Sequence, residues 1–180
     1  MALRPVLQFP DRRLKQVSEP VARVTEEIRE LARDMLEVMY DEPGIGLAAA
    51  QLGVPVRLIV VDVGWNEEGG ERNPRVLVNP EIVEASGTIT WNEGCLSVPD
   101  FQAEVERSER VRLVATDLDG TALEIEASDL EAVCFQHEID HLDGILFIDR
   151  ISRLKRSLYA RRREKQLRQE REDADSPTPV

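Results

Sequence analysis

The chain has 180 residues, of which 42% are hydrophobic and 32% are charged, a composition typical of one globular domain. It has no apolar run of the roughly 18 residues that span a membrane, and its N-terminus lacks the apolar stretch of a secretory signal, so we expect a cytoplasmic protein without a membrane partner. The net charge is −12, but residues 152–172 carry nine basic and three acidic residues, a net charge of +6, which leaves −18 for the rest. Such an acidic body repels polyanions and excludes DNA as a partner.

The first half of the chain predicts one helix and two strands. The helix covers about residues 25–41, with Thr25 as its N-cap and four apolar residues at helical spacing, namely Ile28, Leu31, Met35 and Met39. Residues 56–63 are apolar and rich in β-branched side chains, which predicts a buried strand. A polar loop at 66–73 separates it from another strand at 76–79.

The second half predicts a hairpin followed by helices. Residues 104–117 read as one or two strands, and the Asp-Gly pair within 118–121 predicts a tight turn into a return strand at 122–127. A helix then runs to about Leu142, begun by a capping box of Ser128 and Glu131. We expect a final helix over about 153–172 and a disordered tail at 173–180. Helices and antiparallel strands without a βαβ rhythm indicate an α+β fold, with residues 1–172 as a single domain.

A metal-binding pattern lies on the second predicted helix. His137 and His141 are four residues apart and therefore share one helix face, so that both imidazoles can reach one ion. Glu138 follows the first histidine, where a carboxylate can act as a general acid and base. The alternative is a chance H-E-x-x-H on an ordinary helix. That alternative is weakened because the chain has no other histidine.

A catalytic metal site commonly has three protein ligands and one open position, so a third ligand is needed. A carboxylate or either of the two cysteines could supply it. Cys95 follows Gly94, which permits a close approach of the backbone, and a thiolate is a strong ligand for borderline metals. Cys134 is its rival, but it stands in an apolar stretch, where a small buried side chain is the simpler interpretation.

Three segments resemble the motifs of the peptide deformylases, G-x-G-x-A-A-x-Q, E-G-C-x-S and H-E-x-D-H, in that order. Here they are residues 44–51 (G-I-G-L-A-A-A-Q), 93–97 (E-G-C-L-S) and 137–141 (H-E-I-D-H). The similarity extends over about residues 3–165. The resemblance implies a bacterial-type deformylase in which antiparallel sheets surround the H-E-x-x-H helix and a C-terminal helix follows.

The family acts on the N-terminal formylmethionine of nascent polypeptides and releases formate. The resemblance implies that Cys95, His137 and His141 hold one divalent ion, expected to be Fe(II), with Ni, Co or Zn possible. It also implies that Glu138 is the acid and base. The donors to the developing oxyanion are then Gln51 and the backbone N–H of Leu96.

The substrate needs a path along the backbone and an apolar pocket for its methionine side chain. The resemblance places the substrate backbone beside Ile45 and Gly46, and Gly94 is a further candidate for binding the substrate. Candidate pocket residues are Trp91, Leu130, Val133 and Cys134, for which ordinary core packing is the alternative. Many bacterial relatives carry an arginine near the position of Gln102, and this departure affects contacts with the outer part of the peptide.

The basic segment 152–172 has two interpretations, a solvated surface helix or a helix that contacts ribosomal RNA phosphates near nascent chains. The resemblance favours the ribosome, and we expect a monomer. Two other functions remain open: an H-E-x-x-H peptidase of another type, which would use a carboxylate or a third histidine as ligand, and a non-catalytic domain stabilised by a metal with four protein ligands.

Overall fold

The computed structural model describes residues 4–175, which form three helices and seven strands. In chain order these elements are α1 (Glu26–Asp41), β1 (Gly46–Ala48), β2 (Leu58–Val61), β3 (Arg75–Ser86), β4 (Ile89–Cys95), β5 (Val98–Arg107), β6 (Arg110–Thr116), β7 (Ala122–Ser128), α2 (Asp129–Leu142) and α3 (Arg153–Asp175). Short 3-10 turns lie at Arg12–Lys15, Ala49–Leu52 and Phe147–Asp149.

The strands form two antiparallel sheets. The larger has the order β1-β2-β3-β6-β7, and the smaller is the β4-β5 hairpin. Strand β1 is an edge strand, paired with β2 so that Leu47 lies opposite Val60. The predicted α+β class, with antiparallel sheets and a C-terminal helix, is confirmed.

Strand β2 is buried on both faces, which explains its uninterrupted apolar sequence. Ile59 and Val61 belong to the cluster that contains Phe135 and Leu142 of α2. The alternate residues, Leu58 and Val60, belong to the cluster of the apolar face of α1. The larger sheet is thus held between the two helices, and α2 also packs against β1 and β7.

The structure differs from the sequence-based expectations mainly at element ends. The capping box is wrong: the Ser128 side chain makes no capping hydrogen bond, and Glu131 forms an ion pair with Arg75 at 3.3 Å. Strands β1 and β4 were not expected, and β3 is longer than its predicted four residues. Helix α3 continues to Asp175, three residues beyond its predicted end at residue 172. The rest of the disordered tail that we expected over 173–180, residues 176–180, lies outside the described part of the chain. No described helix is both long and apolar enough to cross a membrane.

Candidate active site

Three metal-ligating side chains converge where α2 meets the end of β4. His137 and His141 are one helical turn apart, and their ring centroids lie 5.0 Å from each other. Cys95, the last residue of β4, places its Sγ 3.2 Å from Nε2 of His141. One donor atom from each residue lies within 4.8 Å of the others, and no second such group occurs in the described part of the chain. One thiolate and two imidazoles with these separations fit a tetrahedral ion that keeps one position open.

A buried ionic network orients His137. Its Nδ1 lies 2.8 Å from Oε2 of Glu93, which also receives hydrogen bonds from Arg107. Burial raises the pKa of Glu93, but hydrogen bonds from Arg107 and His137 outweigh it and lower that pKa to about 2. Because an ionised carboxylate only accepts, Nδ1 of His137 donates the proton and Nε2 remains free to bind a metal.

The same network joins the β4-β5 hairpin to helix α2. Arg107 of β5 donates to Oδ2 of Asp140 at 2.6 Å, and Asp140 also receives hydrogen bonds from Arg150. Arg107, Glu93 and Asp140 are all buried. Sequence reasoning missed their role. Glu93 and Asp140 lie within two of the recognised motifs, whereas no local signal marks Arg107.

Glu138 lies beside Cys95, His137 and His141, in a buried position. Its side chain is buried, and its Oε2 has no hydrogen-bond partner among the described residues. Burial raises its pKa to about 7, which suits a group that accepts a proton and later returns it near neutral pH. A Cβ atom added at Gly46 would lie only 2.5 Å from Glu138 Oε1, so glycine permits the edge strand to pass against this carboxylate.

Gln51 is a fixed amide directed at the ligand cluster. Its Oε1 accepts a hydrogen bond from the backbone N–H of Ala48 at 2.9 Å. Its Nε2 donates to Ser97 Oγ at 3.1 Å and lies 3.6 Å from Cys95 Sγ. The carbonyl oxygen is therefore engaged by the backbone, while the amide N–H groups face the site. Leu96 follows Cys95 and lies in the wall of the adjoining cleft.

A cleft of about 930 Å³ opens onto this cluster. All the candidate residues except His141, which is buried, line this cleft. They are Ile45, Gly46, Gln51, Trp91, Gly94, Cys95, Leu96, Leu130, Val133, Cys134, His137 and Glu138. Further lining residues, which the sequence did not point to, include Gln8, Glu42, Pro99, Asp100 and Phe101. The arrangement joins three side chains that could hold a metal ion, a buried carboxyl group and a directed amide donor at the bottom of one cleft.

The chain is similar to known proteins over most of its length. The family model described as polypeptide deformylase matches residues 3–157. A peptide deformylase from Alkalilimnicola ehrlichii is 52% identical over 178 residues, which cover 99% of this chain and 98% of that protein. One from Rhodopseudomonas palustris (strain BisB5) is 54% identical over 128 residues, 71% of this chain and 73% of the relative.

Solved structures give the same result. A peptide deformylase from Legionella pneumophila is 42% identical, with a TM-score of 0.85 over 98% of this chain and all of that one. The enzyme from Ehrlichia chaffeensis, solved in complex with actinonin, is 37% identical, with a TM-score of 0.86 over 92% of this chain and 98% of that one. The chain therefore belongs to the polypeptide deformylase family of enzymes.

Proposed function

We propose that the protein is a metal-dependent hydrolase that removes the formyl group from the N-terminal formylmethionine of nascent polypeptides. The observation that carries the proposal is the convergence of Cys95, His137 and His141 with a buried Glu138 at the bottom of one cleft. Bound to those three ligands, a divalent ion would activate water and polarise the formyl oxygen. The family resemblance implies Fe(II), with Ni, Co or Zn as alternatives.

The chain's own residues account for the proton transfers. Water adds its oxygen to the formyl carbon while Glu138 takes the proton. The carbon–nitrogen bond then breaks, and Glu138 returns the proton to the departing amine nitrogen. The products are formate and a peptide with a free N-terminus. Glu138 lacks a competing hydrogen bond to its Oε2, so this oxygen is available for the proton.

The formyl oxygen becomes negatively charged during this step and needs hydrogen-bond donors. Gln51 suits this role because one N–H donates to Ser97 Oγ and the other is directed at Cys95 Sγ, beside the position where the formyl oxygen would lie. The backbone N–H of Leu96 is the proposed second donor. Removal of one such donor costs about 3 kcal/mol of transition-state stabilisation, a hundredfold or more in rate.

Methionine binding is assigned to the apolar part of the cleft. Leu130, Val133 and Cys134 come from the first two turns of α2, and Trp91 comes from β4. Ile45, Gly46 and Gly94 expose backbone along the approach to the cluster. We propose that the methionine side chain enters between these two elements while its main chain follows the glycines.

The two other functions have less support. A peptidase of another type would need a carboxylate or third histidine as ligand, whereas a cysteine converges here. A purely structural metal site would have a fourth protein ligand, and the described residues supply three. Since all candidate residues come from one chain, we propose that a cytoplasmic monomer is active.

The test is formate release from a formyl-Met peptide under anaerobic conditions, by protein loaded with Fe(II), Ni, Co or Zn. We expect turnover that a chelator abolishes and fresh metal restores. Glu138→Ala should reduce it by at least a thousandfold, whereas Glu131→Ala, on the same helix but outside the cleft lining, should retain it. The absence of formate from every metal-loaded form would refute the proposal, and metal analysis after anaerobic purification would identify the ion.

A further inference from the structure

Two segments from different parts of the fold line the outer cleft. Residues 42–46 lead from α1 into β1 of the larger sheet, and residues 99–102 belong to β5 of the smaller sheet. A peptide whose first residue reaches the ligand cluster must leave between these segments. Side chains in them therefore meet the residues that follow the formylated one.

The charged side chains of this outer region are all acidic. No lysine or arginine lines the cleft within the described part of the chain. Of the four lining carboxylates, Glu93 is bound to Arg107 and Glu138 is buried beside the metal ligands. The remaining two, Glu42 and Asp100, are exposed, one in each segment.

Neither exposed carboxylate forms an ion pair with another described residue. The ion pairs of the structure include neither side chain. Arg162 of α3 does approach Asp100, but it donates to the main-chain carbonyl oxygen. The charge of Asp100 is therefore partly offset, whereas Glu42 has no ion-pair partner within the described part of the chain.

Gln102 contributes a neutral side chain to this acidic region. It lies on β5 opposite Gly94, where its Oε1 accepts a hydrogen bond from Asn92 at 3.0 Å. A neutral amide thus stands in the cleft wall where a basic side chain would neutralise the neighbouring carboxylates. The potential in the outer cleft is negative, and the charge of −18 outside residues 152–172 adds to it.

We infer that the outer cleft selects formyl peptides with a lysine or arginine shortly after the formylated residue, and that Glu42 and Asp100 determine this selectivity. The inference rests on the proposed function and extends it to the substrate class. At about 8 Å in water, one carboxylate changes the local concentration of a unit charge roughly two- to threefold. For two carboxylates and side chains of opposite charge these factors multiply to about thirtyfold without screening, and salt together with the partial offset of Asp100 should reduce the preference to about tenfold.

The experiment compares kcat/KM for formyl-Met-Ala-Lys, formyl-Met-Ala-Gln and formyl-Met-Ala-Glu amides, and for the same series with the variable residue directly after methionine. In at least one series we expect the lysine peptide to exceed the glutamate peptide about tenfold at low salt, mainly through KM, and the ratio to fall with added salt. Glu42→Gln should lower the ratio more than Asp100→Asn. Gln102→Arg should lower it towards one.

The matched control is Glu126→Gln, which makes the same change of net charge on β7, outside the cleft lining. It should leave the ratio unchanged. Turnover of the glutamine peptides with equal rates for lysine and glutamate in both series would overturn the inference alone. An equal effect of Glu126→Gln would also overturn it, because the preference would then come from total charge. Failure to cleave any peptide would refute the proposed function instead.

Discussion

At the scale of single residues, the site depends on how closely the edge strand approaches the general base. Gly46 allows this approach, since a Cβ added there would meet Glu138 Oε1 at 2.5 Å and Cys134 Sγ at 2.8 Å. Both contacts are shorter than real Cβ atoms make, so the flexible Glu138 side chain must move. The glycine at position 46 is therefore required for steric reasons, in addition to the role beside the substrate that we propose for it.

We predict that Gly46→Ala lowers kcat for a formyl-Met peptide by ten- to a hundredfold, because displacement of the base by about 1 Å is costly for proton transfer. The overpacking should lower the free energy of unfolding by about 1–3 kcal/mol. Gly64→Ala is the matched control, since its Cβ would meet nothing within 4 Å. Unchanged kcat in a folded Gly46→Ala protein would contradict the assignment of Glu138.

The second residue-scale prediction concerns the buried guanidinium of Arg107. Its side chain is 2% exposed and bridges Glu93 and Asp140, both also buried. Arg107→Met removes the cation that these two buried carboxylates share and leaves each with a single partner, His137 or Arg150. We expect this loss to lower the free energy of unfolding by about 3–5 kcal/mol. Urea unfolding followed by circular dichroism measures this change.

Arg112 provides a control of the same design at the surface. It also pairs with two carboxylates, Glu84 and Glu124, but these are largely exposed. Water screens such pairs, so Arg112→Met should leave the urea midpoint almost unchanged. Similar shifts for both variants would show that burial does not govern the strength of the network.

At the scale of elements, the sequence predicted those whose residues carry a local periodic signal. The apolar spacing in α1 and the run in β2 correspond to faces that are buried against each other. Strands β1 and β4 lacked such a signal, because one has three residues and the other includes Asn92, Glu93 and Gly94. Their structure depends on pairing with distant strands, which local periodicity does not report.

The same distinction between local signals and long-range pairing applies to the candidate site. The ligands and Glu138 could be predicted because helical spacing and short motifs encode them. The bridge from Arg107 to Asp140 joins residues 33 positions apart, and the cleft contribution of Asp100 depends on how β5 faces α1 and β1. Such relations arise from tertiary packing and have no counterpart in adjacent residues.

Helix α3 gives a prediction at the element scale, since two buried side chains of its first half anchor it to the body. Tyr159 is buried, stacks on Phe101 with ring centroids 4.8 Å apart and donates to the carbonyl oxygen of Pro99. Arg163 is also buried and donates to Gln8 Oε1 at 2.8 Å. Truncation after residue 158 should cost about 3–5 kcal/mol in the free energy of unfolding, as loss of a large buried aromatic does.

Truncation after residue 169 is the matched comparison, because it keeps both anchors, and residues 170–173, the first that it removes, are exposed. Its urea midpoint should equal that of the full chain. Equal midpoints for the two truncations would mean that Tyr159 and Arg163 do not hold α3 to the body.

At the scale of the whole molecule, charge is separated between an acidic body and a basic helix. On this basis we expect different partners for the two regions, cationic peptides for the acidic body and polyanions for α3. We propose that α3 contacts ribosomal RNA, which would bring the cleft close to nascent chains. The anchored first half of the helix leaves Arg161, Lys165 and Arg168 exposed for such contacts.

Reversal of these three charges tests the proposal without removing Tyr159. The triple variant Arg161→Glu, Lys165→Glu and Arg168→Glu should lower co-sedimentation with ribosomes at least tenfold at low salt, with unchanged kcat/KM for a formyl peptide. Binding by the unaltered chain should weaken steeply with salt, because each phosphate contact releases counterions. The control reverses three exposed arginines elsewhere, Arg12, Arg23 and Arg110, and makes the same change in net charge. If both triple variants co-sediment with ribosomes equally, α3 is not the contact surface. If only the α3 variant fails to co-sediment, the position of the charges rather than their total determines ribosome binding.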